Sequence, residues 1–332
     1  MKVFIHYKPK RAESAFEGTR LRKNLKGECE EVDVTWTDNK LSDPDIAHFI
    51  SPYDIALLRK FREKGVKTIV SAFYCERDPY ASFIKLNRRG MHLKKRAKAM
   101  LNEADLVLVP NEKIKDFAEK SGVSAPIAVV PASVNPERFV LAPLEREVFY
   151  RYFGVREDTK LVVCNGSYSE HAKLRSLIKI AKLCPQVRFY FFGFAGVGMG
   201  AVVRFYQNRA PENLTFAPLL EDDVYRSALE RSSAYLVLNS LPDGVGLLEA
   251  FASKSVVIAM GDQSLNPLIV KDVSAFLVKN EQEVAEVIDN IYLGKGKDTI
   301  IASYAAAKKY SLAKQANTLK TTYEAVLKPQ EE

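Results

Sequence analysis

The stretch Leu238–Ala259, LNSLPDGVGLLEAFASKSVVIA, decides how the rest of the chain is read. An apolar run ends at Leu238 and predicts a strand. A Pro-Asp-Gly turn follows, then a helix that opens close to an acid, Glu249. A second apolar run, Ser255–Ala259, predicts the next strand. Strand, helix and strand in this order make a parallel βαβ unit. An acid in the first turns of a helix can simply complement the helix dipole. Here its surroundings, LLEAFAS, are too apolar for a surface turn, and the carboxylate reads as a functional group that can accept hydrogen bonds from a ribose diol.

The same alternation runs through the chain. In the first half, strands are expected at Lys2–Tyr7, Glu31–Thr35, Ile46–Ile50, Lys67–Ser71, Leu106–Val109 and Ile127–Val130. In the second half they are expected at Lys160–Cys164, Val187–Phe192, Leu214–Phe216, Ala234–Leu238, Val256–Ala259 and Ala275–Val278. Helix-like stretches such as Tyr53–Lys64 and Glu112–Ser121 separate them. Continuous apolar strands suit a sheet covered on both faces. The expectation is an α/β chain of two doubly wound, Rossmann-like domains, 1–138 and 139–310, facing across a cleft. The prolines of Pro131–Glu145 mark the boundary. The amphipathic helix Leu312–Leu327, in segment 311–332, is expected to return to the first domain. Ligands of such sheets bind beyond the carboxyl ends of the strands.

A chain of 332 residues with 47% hydrophobic content fits two globular domains. No apolar run approaches the ~18 residues of a membrane span. The opening MKVFIHYKPKR reads as a strand and a basic loop rather than a signal peptide, which implies a cytoplasmic protein. Cys29, Cys75, Cys164 and Cys184 are widely spaced, against a zinc site or a disulfide framework. No metal is expected. The net charge of +8 is concentrated in Ala81–Leu101. That stretch carries Lys85, Arg88, Arg89, Lys94, Lys95, Arg96 and Lys98 and no acid. Apolar residues between them, such as Phe83, Leu86 and Leu93, suit an interfacial helix on an anionic lipid surface. The alternative is a solvated helix face. No nucleic-acid motif accompanies the charge, so no nucleic-acid partner is expected.

The loops after strands hold the remaining candidates. After Cys164, NGSYSEHAKLR offers Gly166 for close backbone approach to phosphate, with Lys173 and Arg175 to neutralise a diphosphate. The alternative is an ordinary βα turn with surface cations. After Phe192, GFAGVGMGA, with Gly193 at its head, departs from the G-x-G-x-x-G spacing and reads as a loop lining the cleft. After Leu238, Asp243 and Gly244 make a tight turn and Gly246 allows close approach. After Ser71, Glu76, Arg77 and Asp78 can meet a sugar or headgroup, or form a local ion-paired turn.

The order of elements and the run DGVGLLEAFASKSVVIA resemble the retaining family 4 glycosyltransferases of the GT-B fold. The stretches CERDPYASF, REVFYRYFGV, CPQVRFYFFG and APENLTFAPLLEDDVY resemble, more closely, bacterial membrane-lipid enzymes that extend glycosyl-diacylglycerols. The resemblance implies a hexosyltransferase with a nucleotide-sugar donor, a UDP-sugar foremost, held by the second domain. It implies a lipid or glycolipid acceptor held by the first domain at the inner face of the cell membrane, and no metal or redox cofactor. It assigns Glu249 to the ribose and Gly244, Val245 and Gly246 to the sugar. Gly18, in ESAFEGTRLR, stands for the glycine-rich loop after the first strand. Two departures stand out. Eight residues before Glu249, where the family's E-x7-E motif has its first acid, is Leu241, and Asp243 is the acid that can take its catalytic place. The histidine many relatives carry after Lys67–Ser71 is matched by Ser71 and Phe73. These departures motivate a second expectation, a non-catalytic GT-B paralogue that binds an active partner glycosyltransferase.

Overall fold

The computed structural model describes residues 1–7, 15–74, 95–168, 171–194, 200–217, 222–238 and 244–328. The chain divides into two compact units. One comprises Met1–Val134, Pro242–Val245 and Tyr310–Glu332; the other comprises Asn135–Leu241 and Gly246–Lys309.

The first unit is built from β1 (Lys2–His6), α1 (Ala15–Glu31), β2 (Thr35–Thr37), β3 (Ile46–Ile50), α2 (Ile55–Glu63), β4 (Lys67–Ser71), α3 (Lys95–Glu103), β5 (Leu106–Val109), α4 (Glu112–Lys120) and β6 (Ile127–Val129). Its strands form one sheet in the order β2-β1-β3-β4-β5-β6, with every pairing parallel. Order reverses between β1 and β3, which makes the carboxyl end of that gap the crevice of this sheet. The strand expected at Glu31–Thr35 begins instead at Thr35. Helix α1 runs on to Glu31, and Asp33 turns the chain with a positive φ of 54°. The amide of Val34 caps the helix by donating to the Cys29 carbonyl.

The C-terminal helix, Leu312–Leu327, belongs to this unit and packs along α1. Its Tyr323 is fully buried. Tyr323 Oη lies 2.7 Å from Nδ1 of the buried His48, and His48 Nε2 lies 2.7 Å from Ser71 Oγ. Burial lowers the His48 pKa to about 3, so its ring is neutral and both nitrogens serve in hydrogen bonds. Helix α1 presents a second polar line. Arg20, Asn24 and Glu28 recur every four residues and therefore share one face, and all three are buried. Asn24 Nδ2 donates to the Ser133 carbonyl at 2.7 Å. Burial lifts the Glu28 carboxyl pKa to about 7. Glu28, His48, Ser71, Tyr74 and Ser133 line a small cavity against this helix face.

The second unit continues with α5 (Pro143–Arg146), α6 (Val148–Phe153), β7 (Leu161–Ser167), α7 (His171–Leu183), β8 (Arg188–Phe194), α8 (Gly200–Gln207), β9 (Leu214–Ala217), α9 (Asp222–Arg231), β10 (Ala234–Val237), α10 (Gly244–Ala252, in this unit from Gly246 on), β11 (Val256–Met260), β12 (Phe276–Val278), α11 (Glu281–Tyr292) and α12 (Lys297–Lys309). Its six strands are again all parallel, in the order β12-β11-β10-β7-β8-β9. Val162 and Cys164 of β7, Phe189 and Phe191 of β8 and Leu236 of β10 pack with Leu174, Leu177 and Ile180 of α7 into one core. Cys164 is a plain part of it, 1% exposed. Order reverses between β7 and β10, so the crevice of this sheet opens where those two strands end.

Candidate functional site

The opening stretch of sequence folds at that crevice. The strand ending at Val237 is β10, and Gly244–Ala252 is α10. The helix has no polar face. Val245, Leu247, Leu248, Ala250 and Phe251 are each at most 1% exposed. Glu249 lies among them at 2%. It is the sixth residue of α10, past the first turn. The helix-dipole explanation therefore fails, because that interaction fades within the first turn. A carboxylate this buried is costly unless hydrogen-bond donors surround it. The Val245 side chain is core, so its backbone N–H is the group that can serve a ligand. The first four N–H groups of any helix lack intrahelical acceptors.

Gly244, which belongs to the first unit with Ala132 and Tyr74, is held in a narrow place. A Cβ there would come within 3.2 Å of Ala132 Cβ and 3.4 Å of the Tyr74 carbonyl. Asp243 lies outside the described residues, as do Glu76, Asp78, Lys85, Arg88, Arg89 and Lys94. Lys95 and Arg96 open α3 and are exposed.

Across the crevice, Gly166 sits near the end of β7 and pairs in register with Gly193 on β8. The two glycines have different physical reasons. A Cβ on Gly193 would fall 2.3 Å from a Phe191 ring atom and 2.5 Å from a Tyr168 ring atom. Gly193 therefore makes room for the buried Tyr168 ring. Gly193→Ala is expected to destabilise the protein by about 1–3 kcal/mol through overpacking. Urea unfolding would read that loss, and calorimetry would read whether nucleotide affinity changes with it.

Lys173 and Arg175 do not act as a pair. They are the third and fifth residues of α7. Two residues on a helix are about 200° apart, so the side chains leave on opposite faces. Arg175 is exposed and Lys173 half-buried, which makes Lys173 the better-held cation of the two. Gly18 lies inside α1, not in a loop before it. A Cβ on Gly18 would fall 2.1 Å from the Tyr7 ring, so its reason is again packing. At the place of the relatives' histidine, Ser71 is bonded to His48, while Phe73 is 4% exposed with a positive φ of 67°. Phe73 meets Phe117 edge-on and carries no proton to give.

A further group spans the switch point. Asn165 of β7 donates from Nδ2 to Tyr225 Oη of α9 at 3.0 Å, and accepts at Oδ1 from Tyr235 Oη of β10. This bridge fixes the end of β7 against β10, at the floor of the crevice. An asparagine at a strand end is the only trace of it in sequence. Among the described residues, no cluster of His, Cys, Asp and Glu is arranged to hold a metal ion.

No family model matches the chain. It is 20% identical, over 304 residues, to a processive diacylglycerol alpha-glucosyltransferase from Acholeplasma laidlawii, covering 90% of each protein. Its structure is similar to that of HepE from Anabaena, solved with UDP and glucose, at a TM-score of 0.71 and 14% identity, over 98% of this chain and 99% of that one. It is also similar to a glycosyltransferase from Rickettsia africae, at a TM-score of 0.66 and 14% identity, over 99% of each chain. Two parallel six-stranded sheets with flanking helices, and these likenesses along nearly the whole length, give the chain the GT-B glycosyltransferase fold.

Proposed function

We propose that the chain is a retaining hexosyltransferase. It takes a hexose from a UDP-sugar and passes it to a lipid-linked or glycolipid acceptor at the inner face of the cell membrane. The observation that carries this reading is Glu249, a carboxylate buried in the apolar helix α10 beside the β7/β10 crevice. A buried carboxylate beside the crevice of a parallel sheet is a candidate for ligand contact. The relative from Acholeplasma laidlawii, a diacylglycerol glucosyltransferase by name, supports a lipid acceptor. HepE solved with UDP-glucose supports the donor.

In this reading Glu249 holds the ribose diol. The N–H groups at the start of α10 meet the sugar, and Gly166 lets the end of β7 approach the diphosphate. Lys173 neutralises the charge that builds on the leaving diphosphate, where stabilisation counts most. Asp243 takes the place of the family's first acid. The basic segment from Lys85 to Arg96 binds anionic lipid. Among the described residues no helix is long and apolar enough to cross a membrane. No metal or redox cofactor takes part.

The buried, apolar Phe73 favours a second reading, a GT-B protein that binds a nucleotide sugar and serves an active partner. One experiment separates the two. The protein is titrated with UDP, UDP-glucose, UDP-galactose and GDP. It is then supplied with radiolabelled UDP-hexoses and anionic vesicles containing diacylglycerol or glucosyl-diacylglycerol. UDP binding with transfer to lipid is the expected result. UDP binding without transfer to either lipid favours the partner reading. Failure to bind any nucleotide would overturn both.

A further inference from the structure

The second unit carries a cluster of cations at the amino-terminal edge of its sheet, the edge opposite the β7/β10 crevice. Helix α10 ends there, just ahead of β11. Its end is a Schellman turn. The Ser255 amide donates to the Ala250 carbonyl at 3.1 Å, and the Lys254 amide donates to the Phe251 carbonyl at 3.2 Å. The left-handed position of such a turn is ordinarily glycine, because a Cβ is strained there. Here it is Lys254, at a φ of 61°. The backbone favours glycine, so the reason for lysine lies in its side chain.

That side chain sets its ammonium 4.9 Å from the centre of the Tyr304 ring. Lys308, one turn beyond Tyr304 in α12, brings a second ammonium to 4.8 Å from the same centre. Among the described residues neither ammonium is paired with a carboxylate. A cation at the end of each helix complements that helix's dipole. The dipoles do not account for two like charges drawn to one ring, and a shared anion would relieve their repulsion. The outer face of α12 has the same character. Lys297, Ile301, Tyr304 and Lys308 follow one another at three or four residues and form a single stripe. The inner stripe, Thr299, Ser303 and Ala307, is buried. Ile301 is 69% exposed, Lys297 and Lys308 are exposed, and Tyr304 is half-buried. Asp298, the one acid in α12, stands about 100° around the helix from Lys297 and off the stripe.

We propose that this stripe of α12, with Lys254 beside it, is a docking face for an anionic lipid surface. Ile301 dips below the headgroups, as the apolar residues of interfacial helices do. Tyr304 lies at headgroup level, where amphipathic rings settle. Lys254, Lys297 and Lys308 meet the lipid phosphates on their flexible stems. A partner that offered charge alone would leave the exposed Ile301 unused, and that residue favours lipid. The contact is separate from the basic segment Lys85 to Arg96 of the first unit, and it does not depend on the hexosyltransferase reading.

The test places a reporter in the stripe of the full chain. Trp36 is the only tryptophan, so Trp36→Phe removes the background and Ile301→Trp sets a fluorophore at the proposed depth. Vesicles of phosphatidylcholine and phosphatidylglycerol with brominated chains should shift its emission to the blue and quench it. Vesicles of phosphatidylcholine alone should do neither. Lys254→Gly together with Lys308→Gln, in the same reporter chain, should weaken partitioning about 25-fold, about fivefold for each ammonium lost. Glycine suits the left-handed backbone at 254, so urea unfolding should show Lys254→Gly at least as stable as the wild type. Lost binding is then lost charge and not lost fold. The quenching should persist when Lys85, Arg88 and Arg89 are replaced by glutamine, and its disappearance there would overturn the proposal. An unquenched tryptophan on anionic vesicles, or partitioning indifferent to the double substitution, would overturn it too. So would inorganic phosphate that shifts the emission as far as the vesicles do, since the cluster would then take a free anion. A chain that transfers no hexose refutes the catalytic reading and leaves the vesicle result standing.

Discussion

Glu249→Ala is expected to weaken UDP binding about 100-fold. A ribose diol placed against a carboxylate makes two charge-assisted hydrogen bonds, each worth roughly 1.5–3 kcal/mol. Losing about 3 kcal/mol corresponds to about two orders of magnitude in Kd. A control removes the ambiguity of cutting a buried residue. With 2′,3′-dideoxy-UDP, which lacks both hydroxyls, the wild-type protein should lose most of the affinity that the substitution removes, and the Glu249→Ala protein should lose little more. Independent, additive losses would show that Glu249 does not touch the ribose. Urea unfolding of both proteins checks that the core around α10, where Glu249 is 2% exposed, is intact.

The second large effect belongs to stability. Burial raises the Glu28 pKa from 4.5 to about 7. The folded protein therefore holds a proton that the unfolded chain releases at lower pH. Below about pH 4.5 the carboxyl is neutral in both states and carries no penalty. Between 4.5 and 7 the unfolded chain ionises first and stability falls as pH rises; above 7 the loss is complete. A shift of this size corresponds to about 3 kcal/mol. Glu28→Gln removes the ionisation and keeps the shape. The variant should match the wild type at pH 4 and exceed it by about 3 kcal/mol at pH 8, read from urea unfolding at both pH values. A variant less stable than the wild type at pH 8 would mean that the ionised carboxylate is a needed partner within α1, where Arg20 shares its face.

The fold was legible because parallel strands covered on both faces are nearly uniform apolar runs. Val256–Ala259 and Ala234–Val237 show up in sequence without any knowledge of their neighbours. Element ends were less legible. Nothing in CEEVDVT shows that α1 persists to Glu31, since the cap is a backbone bond from Val34. Among the site residues, Glu249 stood out through the mismatch between an acid and its apolar flanks. Others were invisible for a plain reason. Lys254 and Lys308 are far apart in sequence, and only the packing of α12 against β11 brings them to one ring. Arg20, Asn24 and Glu28 look like the solvent face of an amphipathic helix, yet the segment around Ser133 and the helix ending at Leu327 cover them.

The membership of that last helix has a consequence for biosynthesis. Tyr323 and Leu319 are inside the first unit, and Tyr323 closes the hydrogen bond that the buried His48 ring requires. During translation the strands of the first unit leave the ribosome early, with one flank of α1 and the His48 ring still uncovered. The second unit, Asn135–Leu241 with Gly246–Lys309, is made afterwards and has nearly all of its own residues before the final helix appears. Domains commonly fold in the order of synthesis. Here the first to be made is finished late, and it waits exposed for a helix that follows the second unit in the chain.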